Sequence, residues 1–216
     1  YLYSSNVVEQ FIDKNSTKLV LDNGQIIYSD LIVGSDGYPS SSAKKAGIQH
    51  INYSYNQSSI VGIFKHEIPH ENEAVQIFLP SGPLAILPLS GNRSSFVWTN
   101  ETNEAVRIFN LNDLHFLNEL NTAFQNRRGQ IQLESKKSMF PISLTIPKKV
   151  IKERFVIIGD TAHKIHPIAG QGWNLGMKDV EIVYKLLNKY NFLGIEPGTN
   201  SFCKEYHNDT FYRAYR

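Results

Sequence analysis

The sequence has little of several features that would indicate other classes of protein. Cys203 is its only cysteine, which excludes an intrachain disulfide and a cluster of cysteine metal ligands, and is compatible with a reducing cytoplasm. No run of Lys or Arg exceeds two residues, so no phosphate-binding stripe is visible and nucleic acid is not an expected partner. The longest apolar stretches, 84–89 and 155–158, fall far short of the roughly 20 residues that span a bilayer.

The start of the sequence also lacks the signals of an ordinary N-terminus. It has no Met, no basic segment followed by an apolar one, and no cleavage signal. We therefore expect a fragment of a longer chain. Hydrophobic residues make up 41% of the 216 residues, which is enough apolar material for one large core or two small ones.

Short strands dominate the first hundred residues. Residues 5–33 alternate between apolar and polar in the manner of a hairpin or meander, and 31–33 predict a buried strand that ends at Gly34. A short helix to Ala46 should follow. Residues 57–99 contain four apolar runs separated by Pro, Gly and Asn, which predict an antiparallel sheet.

The second half predicts two helices. Asp113 is the predicted N-cap of the first helix, whose apolar face is Leu114, Leu117, Leu120 and Phe124. Residues 154–158 predict a strand, 159–172 a loop, and the following residues a helix to about Tyr190 with Val180, Val183 and Leu187 facing inward. This order of elements predicts an α/β (α+β) fold in which a cofactor-binding domain is split by an inserted sheet.

The loop after residue 158 carries the strongest functional signal. Asp160 follows a strand directly, where a carboxylate can accept hydrogen bonds from the hydroxyl groups of a bound cofactor. Gly170 and Gly172 allow backbone N–H groups to approach a ligand, and the helix that follows presents its positive end to negative charge. An aspartate that merely caps a turn is the alternative for Asp160 taken alone.

The phrase from Gly159 to Gly176 resembles the FAD-dependent aromatic monooxygenases of the p-hydroxybenzoate hydroxylase fold, and most closely the ubiquinone-biosynthesis hydroxylases. Residues 31–48 look like the second flavin and NADPH motif of that family, with Asp36-Gly37 at its centre. Segments 82–88, 97–99 and 140–141 also look like family positions, so the resemblance covers nearly the whole chain. It implies an FAD/NAD(P)-binding domain of this type, N-terminally incomplete, over 1–52 and 149–216, and a substrate-binding β-sheet domain with a packing helix over 53–148.

The resemblance also implies roles for individual residues. Asp160 binds the ribityl chain of FAD, Pro167 lies beside the isoalloxazine ring, and backbone around 170–174 holds the pyrimidine edge. The cofactor-binding residues implied in this way are Asp36, Gly37, Gly159, Asp160, Pro167, Gly170, Gln171, Gly172, Trp173 and Asn174. Trp173 stands where the family usually has Leu, and we expect it to form a wall of the pocket. No catalytic side chain is assigned, because the flavin carries the chemistry.

The implied reaction is the hydroxylation of an aromatic ring, in which NAD(P)H reduces FAD and the reduced flavin uses O2. The implied substrate is a polyprenylated phenol of ubiquinone biosynthesis, and other proteins of that pathway are expected partners. A long isoprenoid chain partitions into lipid, so we expect a cytoplasmic enzyme with peripheral contact at the inner face of the membrane. One alternative is the hydroxylation of a soluble aromatic compound.

Two departures from the family pattern matter: the first favours a further alternative, and the second concerns the handling of NADPH. The GxGxxG turn that binds the ADP half of FAD does not occur in this sequence, and Ala43 stands where the family usually has Arg. The chain alone is therefore expected to be inactive, and a non-catalytic remnant or a split-gene half that needs a partner chain is the alternative of a different class. His163 and His166 offer only two of the three or four ligands of a zinc site, so no metal is expected.

Overall fold

The structure is a computed structural model that describes residues 4–167 and 170–214, with side chains described through residue 210. The strands are β1 (Val7–Ile12), β2 (Thr17–Leu21), β3 (Ile26–Ser29), β4 (Ile32–Gly34), β5 (His50–His66), β6 (Val75–Leu79), β7 (Gly82–Leu89), β8 (Arg93–Glu101), β9 (Ile131–Leu133), β10 (Ser138–Pro147), β11 (Ile151–Lys152) and β12 (Phe155–Ile157). The helices are α1 (Ser41–Lys45), α2 (Thr102–Phe109), α3 (Asp113–Ala123), α4 (Gln171–Phe192) and α5 (Asn200–Ala214). None of these helices has the length and apolar character that crossing a membrane requires.

The chain divides into two compact units. The first contains the residues up to Tyr53 and those from Leu144 onward, and the second contains Ser54–Ser143. The chain passes between the units within β5 and within β10. That the first unit binds flavin and the second binds substrate stays a prediction.

The first unit contains two three-stranded sheets. Strands β1, β2 and β3 form the predicted antiparallel meander. In the other sheet, β12 lies between β11 and β4, and β12 runs parallel to β4 with Ile157 opposite Gly34. Apolar side chains of β12, α4 and α5 form the core around Phe155 and Tyr206. This parallel pair brings the ends of β4 and β12 to one edge of the sheet.

The second unit is a six-stranded antiparallel sheet covered by helices. The strand order is β10-β5-β8-β7-β6, and β9 pairs with β5. Side chains from one face of the sheet, including Phe64 and Phe96, pack with Phe116 and Leu120 of α3 in an apolar core. The predicted antiparallel sheet with a packing helix is confirmed, whereas α2 was not predicted.

The predicted start of α3 is wrong by one residue. Asn112 is the N-cap, and its side chain accepts a hydrogen bond of 3.0 Å from the backbone N–H of His115. Asp113 therefore lies in the first turn, where its negative charge interacts favourably with the positive end of the helix dipole. This register leaves Leu114 69% exposed and buries Phe116.

The predicted inward face of α4 is also wrong in part. Val180 is 44% exposed, whereas Ile182, Val183 and Leu186 are buried. The inward position next to Val180 in the sequence belongs to Asp179, which is 1% exposed. A buried carboxylate is rare in a helix core, and an apolar pattern therefore does not predict it.

A buried histidine in the second unit makes its stability depend on pH. His66 Nδ1 donates to the carbonyl oxygen of Ile68 at 2.9 Å, so Nε2 is the acceptor for the hydroxyl of Ser94 at 3.1 Å. Burial lowers the pKa of His66 below its ordinary 6.5, and the neighbouring His70 and Arg128 lower it further. The folded state thus favours the neutral imidazole.

We expect the free energy of unfolding to fall as the pH drops from about 7.5 to about 5.5, because the unfolded chain binds protons to histidine more readily than the folded one. The contribution of His66 to stability is fully present above the unfolded-state pKa of histidine. It is lost as the pH falls from that pKa toward the lower folded-state pKa. Urea unfolding at the two pH values measures it. Since the pKa values of His166 and His207 are lowered by burial as well, His66→Gln should reduce the pH dependence without abolishing it. An unchanged slope in His66→Gln would contradict this assignment.

Candidate functional site

The two sequence motifs meet at the edge of the parallel strand pair. Strand β4 leads into the loop with Asp36 and Gly37, and β12 leads into a 3-10 turn over Gly159–Thr161. The backbone N–H of Ile158 donates to the carbonyl oxygen of Gly34 at 3.0 Å, which joins the two strand ends. The carboxyl ends of parallel strands are the usual place for ligands in open α/β sheets.

Asp36 holds the first loop to α1. Its Oδ1 accepts hydrogen bonds from the hydroxyls of Ser40 at 2.6 Å and Ser42 at 2.7 Å, and its Oδ2 accepts the backbone N–H of Ser42 at 2.8 Å. Partial burial on its own would raise the pKa of Asp36, but these hydrogen bonds outweigh it and hold the pKa below its ordinary value. Asp36 is thus an anionic anchor of this loop.

Thr161 connects the two loops, and the sequence analysis did not identify it. Its hydroxyl donates to the carbonyl oxygen of Gly37 at 3.1 Å and lies 3.4 Å from Asp36 Oδ1. His50 Nε2 lies 3.0 Å from the carbonyl oxygen of Thr161. Thr161 itself is fully buried, whereas its partner Asp36 is exposed. The loops after β4 and β12 are therefore one hydrogen-bonded structure.

Asp160, in the second loop, has an exposed side chain, as Asp36 has. Asp160 lies in the middle of the 3-10 turn and is exposed, although the next two residues, Thr161 and Ala162, are buried. Gly159 has φ = +60°, a left-handed conformation that favours glycine. A Cβ on Gly172 would lie 3.9 Å from Asp160 Oδ1, so the start of α4 is adjacent to this carboxylate.

The start of α4 is open to solvent. Gly170 is the N-cap with φ = +63°, and having no side chain it cannot cap the helix. The first N–H groups of a helix have no partner within it and need another acceptor. Gln171 and Asn174 are exposed, and Trp173 is 75% exposed. Pro167 is exposed as well, while residues 168–169 of the motif lie outside the described residues.

These residues fit the flavin that the motif implies. An exposed carboxylate at the end of β12 suits the hydroxyls of a ribityl chain, and open N–H groups at the positive end of a 22-residue helix suit a partly negative ring edge. Trp173 offers an apolar surface beside them. The individual assignments from Asp36 to Asn174 stay predictions.

The fold and the site together define a flavoprotein of the p-hydroxybenzoate hydroxylase type. The model of the family described as "FAD binding domain" matches residues 8–198, and the chain belongs to this family. The resemblance to FAD-dependent monooxygenases that the motifs predict is thereby confirmed.

The curated proteins that this chain resembles include enzymes named for ubiquinone biosynthesis. The chain is 36% identical over 194 residues to "Ubiquinone hydroxylase UbiL" of Rhodospirillum rubrum, a match over 90% of this chain and 45% of the relative. It is 29% identical over 223 residues to "Ubiquinone biosynthesis monooxygenase COQ6, mitochondrial" of Danio rerio, a match over 88% of this chain and 46% of the relative. The chain thus spans about half the length of the curated relatives it matches.

A solved structure supports the fold. PqsL of P. aeruginosa, determined in complex with 2-aminobenzoylacetate, superposes on 97% of this chain and 59% of its own with a TM-score of 0.80. At 18% sequence identity this likeness concerns the fold alone.

Proposed function

We propose that this chain is part of an FAD- and NAD(P)H-dependent monooxygenase that hydroxylates the aromatic ring of a polyprenylated phenol in ubiquinone biosynthesis. The observation that carries the proposal is the exposed Asp160 beside the open N-terminus of α4, in a chain whose relatives are named as ubiquinone hydroxylases. Bound flavin would supply the oxygen chemistry. The chain's own residues would orient it: Asp160 at the ribityl hydroxyls, and the N–H groups at the start of α4 at the ring edge.

The sheet of the second unit supports a lipophilic substrate. One face is buried under the helices, and the opposite face carries a group of apolar side chains among polar ones such as Ser59, Ser95 and Thr99. Register places Val61, Val97 and Ala85 side by side on that face, with Phe78 opposite Pro83 next to them. Phe78 is 72% exposed. This apolar group suits contact with an apolar ligand on the second face.

Asp160→Ala is expected to lose flavin without losing the fold. Because Asp160 is exposed, its removal should change the free energy of unfolding by no more than about 0.5 kcal/mol. The variant would lose the hydrogen bonds that the ribityl hydroxyls donate to the Asp160 carboxylate, which should weaken FAD binding by about tenfold or more. Visible flavin absorbance of the purified protein, at its full natural length, measures retention in parent and variant. Asp209→Ala, which changes another carboxylate of the same unit, is the control.

The outcomes separate the alternatives. A parent that retains FAD, and that converts a prenylated phenol to a hydroxylated product with consumption of NAD(P)H and O2, supports the proposal. Conversion of a soluble phenol only would favour the hydroxylation of soluble compounds. A parent that neither carries nor takes up FAD contradicts the proposal and favours a non-catalytic remnant or a dependence on a partner chain.

The same substrate implies peripheral contact with a membrane surface and with other proteins of the pathway, because an isoprenoid chain partitions into lipid. Sedimentation with phospholipid vesicles tests the membrane contact. Recovery of the protein in the supernatant at all lipid concentrations would contradict it.

A further inference from the structure

The inward face of α4 carries a buried carboxylate with a specific partner. Asp179 is 1% exposed, and its Oδ2 accepts the backbone N–H of Gly159 at 2.9 Å. Its Oδ1 lies 3.5 Å from Nε2 of His163, which is 3% exposed. A buried carboxylate is unfavourable unless it is hydrogen-bonded or paired, so the hydrogen bond from Gly159 helps to explain how it is tolerated.

Gly159 is the residue at which the chain turns from β12 toward Asp160. Its left-handed φ of +60° sets the direction of the turn, and its N–H is the group that Asp179 holds. The backbone of α4 approaches the turn closely, because a Cβ on Gly176 would lie 3.3 Å from the Cα of Gly159. The carboxylate therefore connects the middle of α4 to the peptide next to Asp160.

Tyr206 also lies near Asp179, but its hydroxyl hydrogen-bonds elsewhere. The hydroxyl of Tyr206 donates to the carbonyl oxygen of Ile157 at 2.8 Å. Burial raises the pKa of Tyr206, and the charge of Asp179 raises it further, so this hydroxyl stays protonated. Among the described residues, the Gly159 N–H is therefore the group shown to donate a hydrogen bond to Asp179, at 2.9 Å, while His163 Nε2 lies further away at 3.5 Å.

We propose that Asp179 is a positioning residue of the candidate flavin site: its carboxylate fixes the Gly159 peptide and thereby the direction in which Asp160 projects. The proposal rests on the proposed function, since it assigns Asp160 to FAD. Asp179 touches no ligand in this account and acts only through the turn.

Hydrogen exchange at the Gly159 amide tests the positioning directly and without flavin. Asp179→Leu removes the acceptor and keeps the branched shape of the side chain, and exchange at Gly159 should accelerate by about tenfold or more. Asp179→Asn keeps an acceptor oxygen, and exchange should stay within about threefold of the parent. The Ile158 amide, which donates to Gly34 rather than to Asp179, is the internal control. Asp179→Ser, whose hydroxyl is too short to reach Gly159, replaces the Leu variant if that variant does not fold.

FAD titration of the same proteins provides the second measurement. Asp179→Leu should bind FAD about tenfold more weakly than the parent, and Asp179→Asn nearly as well as the parent. Equal acceleration at Gly159 and Ile158, or unchanged FAD affinity despite a freed Gly159 amide, overturns the proposal. A parent that takes up no FAD instead overturns the proposed function, and exchange at Gly159 still decides whether Asp179 fixes the turn.

Discussion

Asp36→Ala is expected to lower the free energy of unfolding by roughly 2–4 kcal/mol, because several donors lose their acceptor at once. The hydroxyls of Ser40 and Ser42, and the backbone N–H of Ser42, all donate to this carboxylate. Ser40 is also the N-cap of α1, so the start of that helix loses its support. Urea unfolding followed by circular dichroism measures the loss.

The two aspartates of the site should thus behave in opposite ways. Asp36→Ala should destabilise the first unit, whereas Asp160→Ala should remove flavin from a stable protein. Since the pKa of Asp36 is below its ordinary 3.8, its contribution is present above that value and is lost as the pH falls through the folded-state pKa. Asp22→Ala is the control, because Asp22 is exposed and accepts a side-chain hydrogen bond from Asn6 at the surface. An Asp36→Ala protein of unchanged stability that loses FAD would show that Asp36 binds the cofactor directly.

Local pattern was sufficient to predict the strands at the site. β4 and β12 are short apolar runs rich in β-branched residues; Gly34 ends the first, Gly159 follows the second after Ile158, and the parallel pairing places both glycines at one edge. The positions of Asp36 and Asp160 at this edge could therefore be predicted. The hydrogen bonding of Asp36 could not, because it depends on how the loop places Ser40 and Ser42 around the carboxylate.

The sequence analysis missed residues whose contacts are distant in sequence and residues whose polarity is unusual for their buried position. Thr161 contacts Gly37 across 124 positions of sequence, and a threonine after Gly-Asp carries no signal for that bond. Asp179 occupies an inward helix position that periodicity reserves for apolar residues. Helix α5 was not predicted: its buried residues Phe202, Cys203 and Tyr206 lie at helical spacing, but Lys204 and Glu205 interrupt a short apolar run.

Gly198→Ala is expected to be among the most damaging single substitutions in the first unit, with a cost of more than about 3 kcal/mol in the free energy of unfolding. Gly198 has φ = +88°, and a Cβ there would lie 2.2 Å from the carbonyl oxygen of Asp30. That carbonyl is backbone and cannot rotate away. Gly194→Ala is the matched control. Gly194 has φ = +65°, but an added Cβ there would meet open space, so the expected cost is only the roughly 1–2 kcal/mol of a left-handed backbone conformation.

The effect should extend to the site, because the turn at Gly198 is tied to the chain that enters β4. Arg154 donates its backbone N–H to Gly198 at 3.0 Å and its Nη1 to the carbonyl oxygen of Asp30 at 3.0 Å, while its own carbonyl oxygen accepts the N–H of Ile32 at 2.9 Å. A turn pushed away from Asp30 therefore pulls on Arg154 and on the first residue of β4. Urea unfolding of both variants, with FAD titration of whichever folds, measures this coupling. Equal costs for Gly198→Ala and Gly194→Ala would show that the backbone absorbs the added Cβ, and that the turn does not support β4.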